Sequence, residues 1–492
     1  MKKNVFLSFA LAATLFVSAQ QKNSLLEQSF WKASPDINAV KAEIAKGNDP
    51  SQANQNAFDP VVLAINNEAP IATIKFLLEQ PGNTVGKMTH DNRIYLHWAA
   101  YKGNTELAEY LIAKGSDINL EDSHATTPIA FAASNGAVNT ALYEAFFKAG
   151  IDPKKKYKDG ANLLLMAAPS DKDLKLSEYF ATKGMSLKDV DNDGNTVFNY
   201  AARSGNISLL KKLIEKGIKY NDNAILIAAQ GSRRESAPLE TYKYLVEDLK
   251  LKPAVVNKSG ENVLHILAGK PNQTEIIKYF LSKGVDANKA SKEGTTPVMI
   301  AASRENTALE QLLPTVKNIK MQNLKGESAL SFAVRSGTPE AVAVLLEKGA
   351  DVNVKDKDGN NLGVYLVQSY RPGAGAKDPF ETKAKLLQDK GLNLAASQKD
   401  GSTLYLIAIT KNDLELLKKL ASLNIDVNAK NKDGMTALHK AAMISKDDSI
   451  LKYLLSIGAK KEIKTEFDES AYALAKENET LTKNNISVEF LK

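Results

Sequence analysis

Histidine is the side chain best suited to moving protons or binding metals near neutral pH, and this chain of 492 residues has only five. His97, His265 and His439 each stand five residues after a recurring turn position, in segments too far apart to converge on one ion. His90 and His124 fall in loops one period apart and could face each other. The pattern gives them no carboxylate or thiol partner, and a metal centre needs a fuller ligand set. The stretch 372–378, PGAGAKD, superficially resembles a phosphate-binding loop. Its lysine precedes Asp378 and Pro379 instead of Ser or Thr, and no apolar strand leads into it. Asp191 and Asp193 in D-N-D-G, like Asp356 and Asp358 in D-K-D-G, sit where Asp holds its own turn backbone. D-N-D-G also lacks the downstream glutamate of a calcium loop. Cysteine is absent, and no grouping of Ser, His and Asp presents itself. The expectation is a protein without catalysis, metal or cofactor.

What positions these residues is a repeated block, seen most plainly at 431–459, NKDGMTALHKAAMISKDDSILKYLLSIGA. A polar turn ends at Gly434, where glycine supplies a positive φ. Thr436 can cap a short helix in which Ala441 and Ala442 are small enough for close packing. After a polar break, Ile450, Leu451, Leu454 and Leu455 fall at helical spacing, and Gly458 ends the helix. The Gly434 position recurs at Ala57, Asn92, Ala125, Gly160, Gly194, Asn221, Gly260, Gly294, Gly326, Gly359, Gly401 and Asp468. The intervals are 32 to 35 residues, apart from an adjacent 27 and 39 and a single 42. The 27 and 39 together make 66, so the phase is lost and regained.

These blocks resemble the ankyrin repeat, with its turn, T-P-L-H-x-A-A helix and leucine-rich second helix ending in G-A-D-V-N. The likeness is carried by RIYLHWAAYKGN (93–104), TTPIAFAASNG (126–136), TTPVMIAA (295–302) and TALHKAA (436–442). LIAKGSDIN (111–119), YFLSKGVDAN (279–288) and LLEKGADVN (345–353) carry the second half. The resemblance implies an all-α, right-handed solenoid of about 13 helix–turn–helix units with short β-turn fingers. It also implies a structural role for His97, His265 and His439, each tying its repeat to the neighbouring turn.

The same resemblance implies a non-catalytic scaffold that binds a protein partner through its concave finger and inner-helix face. The slots ending the inner helix hold Tyr101, Lys102, Arg203, Arg304 and Arg335, and finger turns add Lys258, Lys292, Lys325, Lys399 and Lys432. These residues predict a moderately basic groove and a partner presenting acidic groups. With seven Arg among 64 basic residues and a net charge of +7, bidentate recognition of nucleic acid is poorly provided for.

Residues 1–19 have the pattern of a cleavable export leader: Lys2 and Lys3, an apolar run over 5–17, then Val17-Ser18-Ala19. With no cysteine for a lipid tether, the expectation is a monomer in the bacterial periplasm or secreted, without membrane insertion. Alternatives are an effector acting outside the producing cell, or a module binding envelope glycan, which would need exposed aromatics lining the groove. The remaining divisions are a degenerate N-terminal capping repeat at 20–56, the array at 57–478 and a tail at 479–492. Within the array, 217–221 leaves no room for a finger, and 231–238 and 369–379 are the long insertions.

Overall fold

The structure is a computed structural model and describes residues 22–232, 234–305, 307–374 and 378–492. The expected leader and the 375–377 portion of PGAGAKD lie outside the described residues. The chain divides into two compact units. The first runs up to Val197 and takes in Glu215–Lys219; the second holds Phe198–Ile214 and Tyr220–Lys492. Among the described residues there are helices, turns and isolated bridges but no strand. None of these helices is long and apolar enough to cross a membrane.

In the first unit the inner helices are Pro60–Asn66, Tyr95–Tyr101, Pro128–Ser134 and Leu163–Ala167. Three of the four start where proline or a capping side chain fixes the first turn, while Tyr95–Tyr101 follows Ile94 without a side-chain cap. Asp59 accepts from the Val62 N–H and Asn162 from the Leu165 N–H. Six successive residues, Tyr95 to Ala100, are buried, because each inner helix is covered by its neighbours and by its own outer helix. Ala99 and Ala100 are fully enclosed, and the helix packs on Pro128–Ser134 with Ala132 and Ala133 turned equally inward. The outer helix Thr105–Ala113 buries only the stripe Leu107, Ala108 and Leu111. That is the amphipathic division of a helix with one wet face.

The second unit repeats the scheme, with inner helices from Asn223–Gln230 to Ala471–Glu477. Its outer helices include Thr274–Ser282, Ala308–Leu312, Pro339–Glu347 and Phe380–Asp389. The end is closed by Glu479–Lys483, with Leu481, Val488 and Leu491 buried, so the residues after 478 cover the final repeat.

The fingers are closed by backbone hydrogen bonds and by turn side chains, as where Asp122 Oδ1 accepts from the Thr126 N–H and Asp356 Oδ1 from the Asn360 N–H. In each, an N–H donates four residues onward: Asp122 to Thr126 O (3.0 Å), Ser291 to Thr295 O (2.8 Å) and Asp356 to Asn360 O (3.0 Å). Fingers also bond to the one before, as in Ser123 N–H to Asp91 O (2.9 Å), Lys292 N–H to Ser259 O (2.7 Å) and Lys357 N–H to Lys325 O (2.9 Å). The recurring turn residue is left-handed even where it is not glycine: φ is +57° at Ala57, +57° at Asn92, +58° at Ala125 and +62° at Asp468. Asn221, where the sequence leaves no room for a finger, is not among the positive-φ positions.

Gly326 (φ +80°) serves two needs at once, since a Cβ there would lie 2.8 Å from the Lys357 nitrogen of the next finger. Gly349 (φ +84°) has open space around it. Gly326→Ala should therefore destabilise more than Gly349→Ala. The left-handed strain costs about 1–2 kcal/mol in both, while crowding adds about 1–3 kcal/mol at 326 alone. Urea unfolding of both variants, with amide exchange at Lys357, checks this ordering.

Candidate interaction faces of the two units

The motif histidines are joints. The Asn262 N–H donates to His265 Nδ1 (3.1 Å), so the ring proton sits on Nε2, which donates to Thr295 O of the next finger (3.1 Å). His439 repeats this, accepting from the Thr436 N–H (3.1 Å) and donating to Ile463 O (2.9 Å). In the first unit His97 Nε2 lies 3.1 Å from Thr126 O. All three are buried, and burial pushes each pKa below the usual histidine value.

His90 and His124 do meet, across a carboxylate that spacing alone did not reveal. Both Nε2 atoms lie 3.4 Å from Asp91 Oδ2. The same oxygen already receives Arg93 Nη1 at 3.1 Å, so a guanidinium stands where a metal would have to sit. No group of three or more ligating side chains among the described residues is placed to hold a metal ion.

Arg93 organises the finger and inner-helix face of the first unit. Its Nε donates to buried Asp122 (2.8 Å), and its guanidinium lies 4.2 Å from the Phe131 ring centre and 5.3 Å from that of Trp98. Trp98 is buried, meets Phe58 edge-on at 5.6 Å, and donates its Nε1–H to Thr89 Oγ1 at 2.9 Å. Phe131 in turn carries Tyr101, ring to ring at 5.4 Å, and Tyr101 is 39% exposed. Val138, 54% exposed, lines the same shallow depression of about 350 Å³ with Tyr101 and Lys102. Lys102 itself is paired with Glu68 at 2.6 Å. Tyr101 and Lys102 are among the residues expected from sequence, whereas Arg93 and Phe131 are not. The available signal was an arginine and an aromatic ring at neighbouring places in successive repeats.

In the second unit the arginines do not form the open basic groove expected of them. Arg203 donates Nε–H to Gly231 O (2.6 Å), bracing the 231–238 insertion. Arg335 is paired with Glu327 and lies over the Phe332 and Tyr365 rings at 4.9 and 5.5 Å. Arg304 is exposed, but its surroundings include Glu305, Glu310 and Glu340. For Arg203 and Arg335 the physical reason is the same: a long cationic side chain at a helix end finds a neighbouring carbonyl, carboxylate or ring within reach. Lys258, Lys292, Lys325, Lys399 and Lys432 are exposed on the finger turns, with Glu293, Asp400 and Asp433 beside three of them.

Two lysines escaped sequence reading altogether. Lys270 is buried and donates Nζ to Gln230 O (2.8 Å) and Ser232 O (2.6 Å), at the base of the 231–238 insertion. Lys383 is 1% exposed and donates to Val334 O at 2.9 Å. Burial pushes its pKa down to about 8. Both cations lie on the carbonyl end of an inner helix of the preceding repeat, where the helix dipole favours positive charge.

Stacked helix pairs joined by finger turns that bond to their neighbours define a helical-repeat protein. A model described as Ankyrin repeats (3 copies) matches residues 31–122, 129–224 and 264–356, and one described as Ankyrin repeats (many copies) matches 404–455. The chain belongs to the ankyrin-repeat family, whose members are generally non-catalytic interaction modules. Two of the unmatched stretches, 225–263 and 357–403, contain the two long insertions. Among curated proteins, Neurogenic locus notch homolog protein 1 of Homo sapiens is 29% identical over 206 residues, covering 39% of this chain and 8% of that protein. Transient receptor potential cation channel subfamily A member 1 of Homo sapiens is 27% identical over 401 residues, covering 79% of this chain and 32% of that protein. Alpha-latroinsectotoxin-Lt1a of Latrodectus tredecimguttatus is 24% identical over 314 residues, covering 57% of this chain and 20% of that toxin. The chain thus spans a third or less of each of these relatives.

The buried histidines give stability a definite pH dependence. Their folded pKa values lie below the unfolded value of about 6.5. Their contribution is complete above that value and is lost as pH falls through the folded values, because the unfolded chain takes up protons first. Urea midpoints should hold steady above about pH 7.5 and decline towards pH 5, by up to about 1.4 kcal/mol per pH unit for each histidine. His265→Gln should lower the midpoint at pH 8 and flatten the acid decline. A decline as steep as that of the unmodified protein would show that His265 does not contribute.

Proposed function

We propose that this chain is a non-catalytic scaffold that holds a protein partner, and that the partner seats on the first unit around Tyr101. One observation carries the reading: Tyr101 is an exposed ring backed by Phe131, a stacked guanidinium and a buried tryptophan. Interface anchors are enriched in Tyr, Trp and Arg held in preset positions with little rotamer freedom left to lose. Val138 extends the apolar contact, and the Glu68–Lys102 pair gives it a polar rim. The partner that fits presents an apolar or aromatic side chain to this depression. An acidic partner finds less support, because Arg203, Arg335 and Lys102 spend their charge internally. The glycan reading would need free aromatic faces, and Trp98 is enclosed with its N–H committed.

The working place of the scaffold is, in this proposal, outside the bacterial cytoplasm. The support is the leader pattern of 1–19 together with the absence of cysteine. Mature protein isolated from the expressing cell should begin at or near Gln20 and be released by osmotic shock. Recovery in the cytosol with Met1 retained would refute export.

A photo-crosslinking residue at position 101 should give a discrete partner adduct, whereas one at Glu109, on the outer helix of the same repeat, should not. The pair Tyr101→Ser and Val138→Ser should weaken that partner by about tenfold or more, in line with truncation costs of at least ~1.4 kcal/mol at an anchor. Helical content should not change. Unaltered binding would remove this face from consideration.

A further inference from the structure

The outer helix of the repeat that begins at Gly294 changes its winding part-way along. It runs Ala308–Leu312 and passes into a 3-10 turn at Leu313–Thr315, where Pro314 denies the chain a further amide donor. Its counterparts before and after are Thr274–Ser282 and Pro339–Glu347, nine residues each. A groove of about 440 Å³ lies between Ala308–Leu312 and Pro339–Glu347, wholly within the second unit. Its floor is apolar: Leu309, Leu313, Ala341 and Val344. Its rim carries three carboxylates, Glu305, Glu310 and Glu340, against one cation, Arg304. None of these three glutamates is in an ion pair among the described residues, and the volume is that of a site for one or two large side chains.

We propose that this groove docks a short segment of another polypeptide in which an apolar side chain is flanked by lysine or arginine. The occupant follows from complementarity: the floor takes the apolar group, and a surplus of unpaired carboxylates attracts the flanking cations. The chemistry is opposite in sign to that expected of Arg304 from sequence. First-turn glutamates also occur in other outer helices, such as Glu106 in Thr105–Ala113, where they suit the helix dipole. What is particular here is that three carboxylates border one apolar floor. The surface lies on the outer-helix side of the second unit and does not depend on the reading of Tyr101.

Fluorescence anisotropy on the full chain tests this with three labelled synthetic octapeptides. One has two central leucines flanked by lysines, one replaces the lysines with glutamates, and one replaces the leucines with serines. The lysine–leucine peptide should bind with a Kd below about 1 mM, and the other two at least tenfold more weakly. The triple variant Glu305→Gln, Glu310→Gln and Glu340→Gln should weaken the first peptide about tenfold, consistent with exposed pairs worth up to about 1 kcal/mol each. Arg304→Gln should tighten it. Val344→Asp, which puts a carboxylate on the floor, should abolish the preference for leucine over serine, with circular dichroism confirming intact helices. Equal binding of the leucine and serine peptides, equal binding of the lysine and glutamate peptides, or indifference to the triple variant would each overturn the proposal. So would no binding of the first peptide at 1 mM.

Discussion

A single backbone hydrogen bond, repeated from finger to finger, sets the terms for both units. It requires the tip of one turn to approach the carbonyl of the turn before it. That is possible only if the recurring residue adopts a left-handed conformation and the next finger meets no obstacle. Gly326 satisfies both conditions, while Ala57, Asn92, Ala125 and Asp468 accept the conformation at a steric cost. The inner helices obey a parallel constraint, placing alanines such as Ala99 and Ala100 where neighbouring helices come closest. The histidines then couple the two levels, since His265 and His439 join the start of an inner helix to the following finger.

This explains what the sequence could and could not reveal. Period, turn position, small-residue helices and the place of the motif histidines are properties of one repeat, so they appear as local patterns. Several partners of charged side chains belong to a neighbouring repeat. Lys102 meets Glu68, Arg93 meets Asp122 and Arg203 meets the carbonyl of Gly231. A periodic pattern gives the backbone register between such residues but not the reach of a flexible side chain. The cationic slots were therefore legible as positions, while their electrostatic state was not. The groove beside Ala308–Leu312 likewise draws its lining from two successive repeats, so no single repeat shows it.

The distribution of charge has a functional side. Where Arg93 is fixed by two aspartates and two rings, it no longer offers a free charge, but it stiffens the support beneath Tyr101. Arg335 over Phe332 and Tyr365 is an equivalent arrangement in the second unit. Arginine suits both places because its planar cation stacks on rings while still donating hydrogen bonds at its edge. The finger lysines, compact and strongly hydrated, stay in solvent instead.

The finger bonds also bear on how the second unit would respond to force. Each bond joins only adjacent turns, so a pull directed along the row of fingers loads them in series. No turn is tied to a distant one to share the strain. Under such a pull the unit should lengthen in steps of one repeat, beginning at the joint with the fewest side-chain ties. The fully formed joints at His265 and His439, each with a ring spanning the gap, would be the last to open.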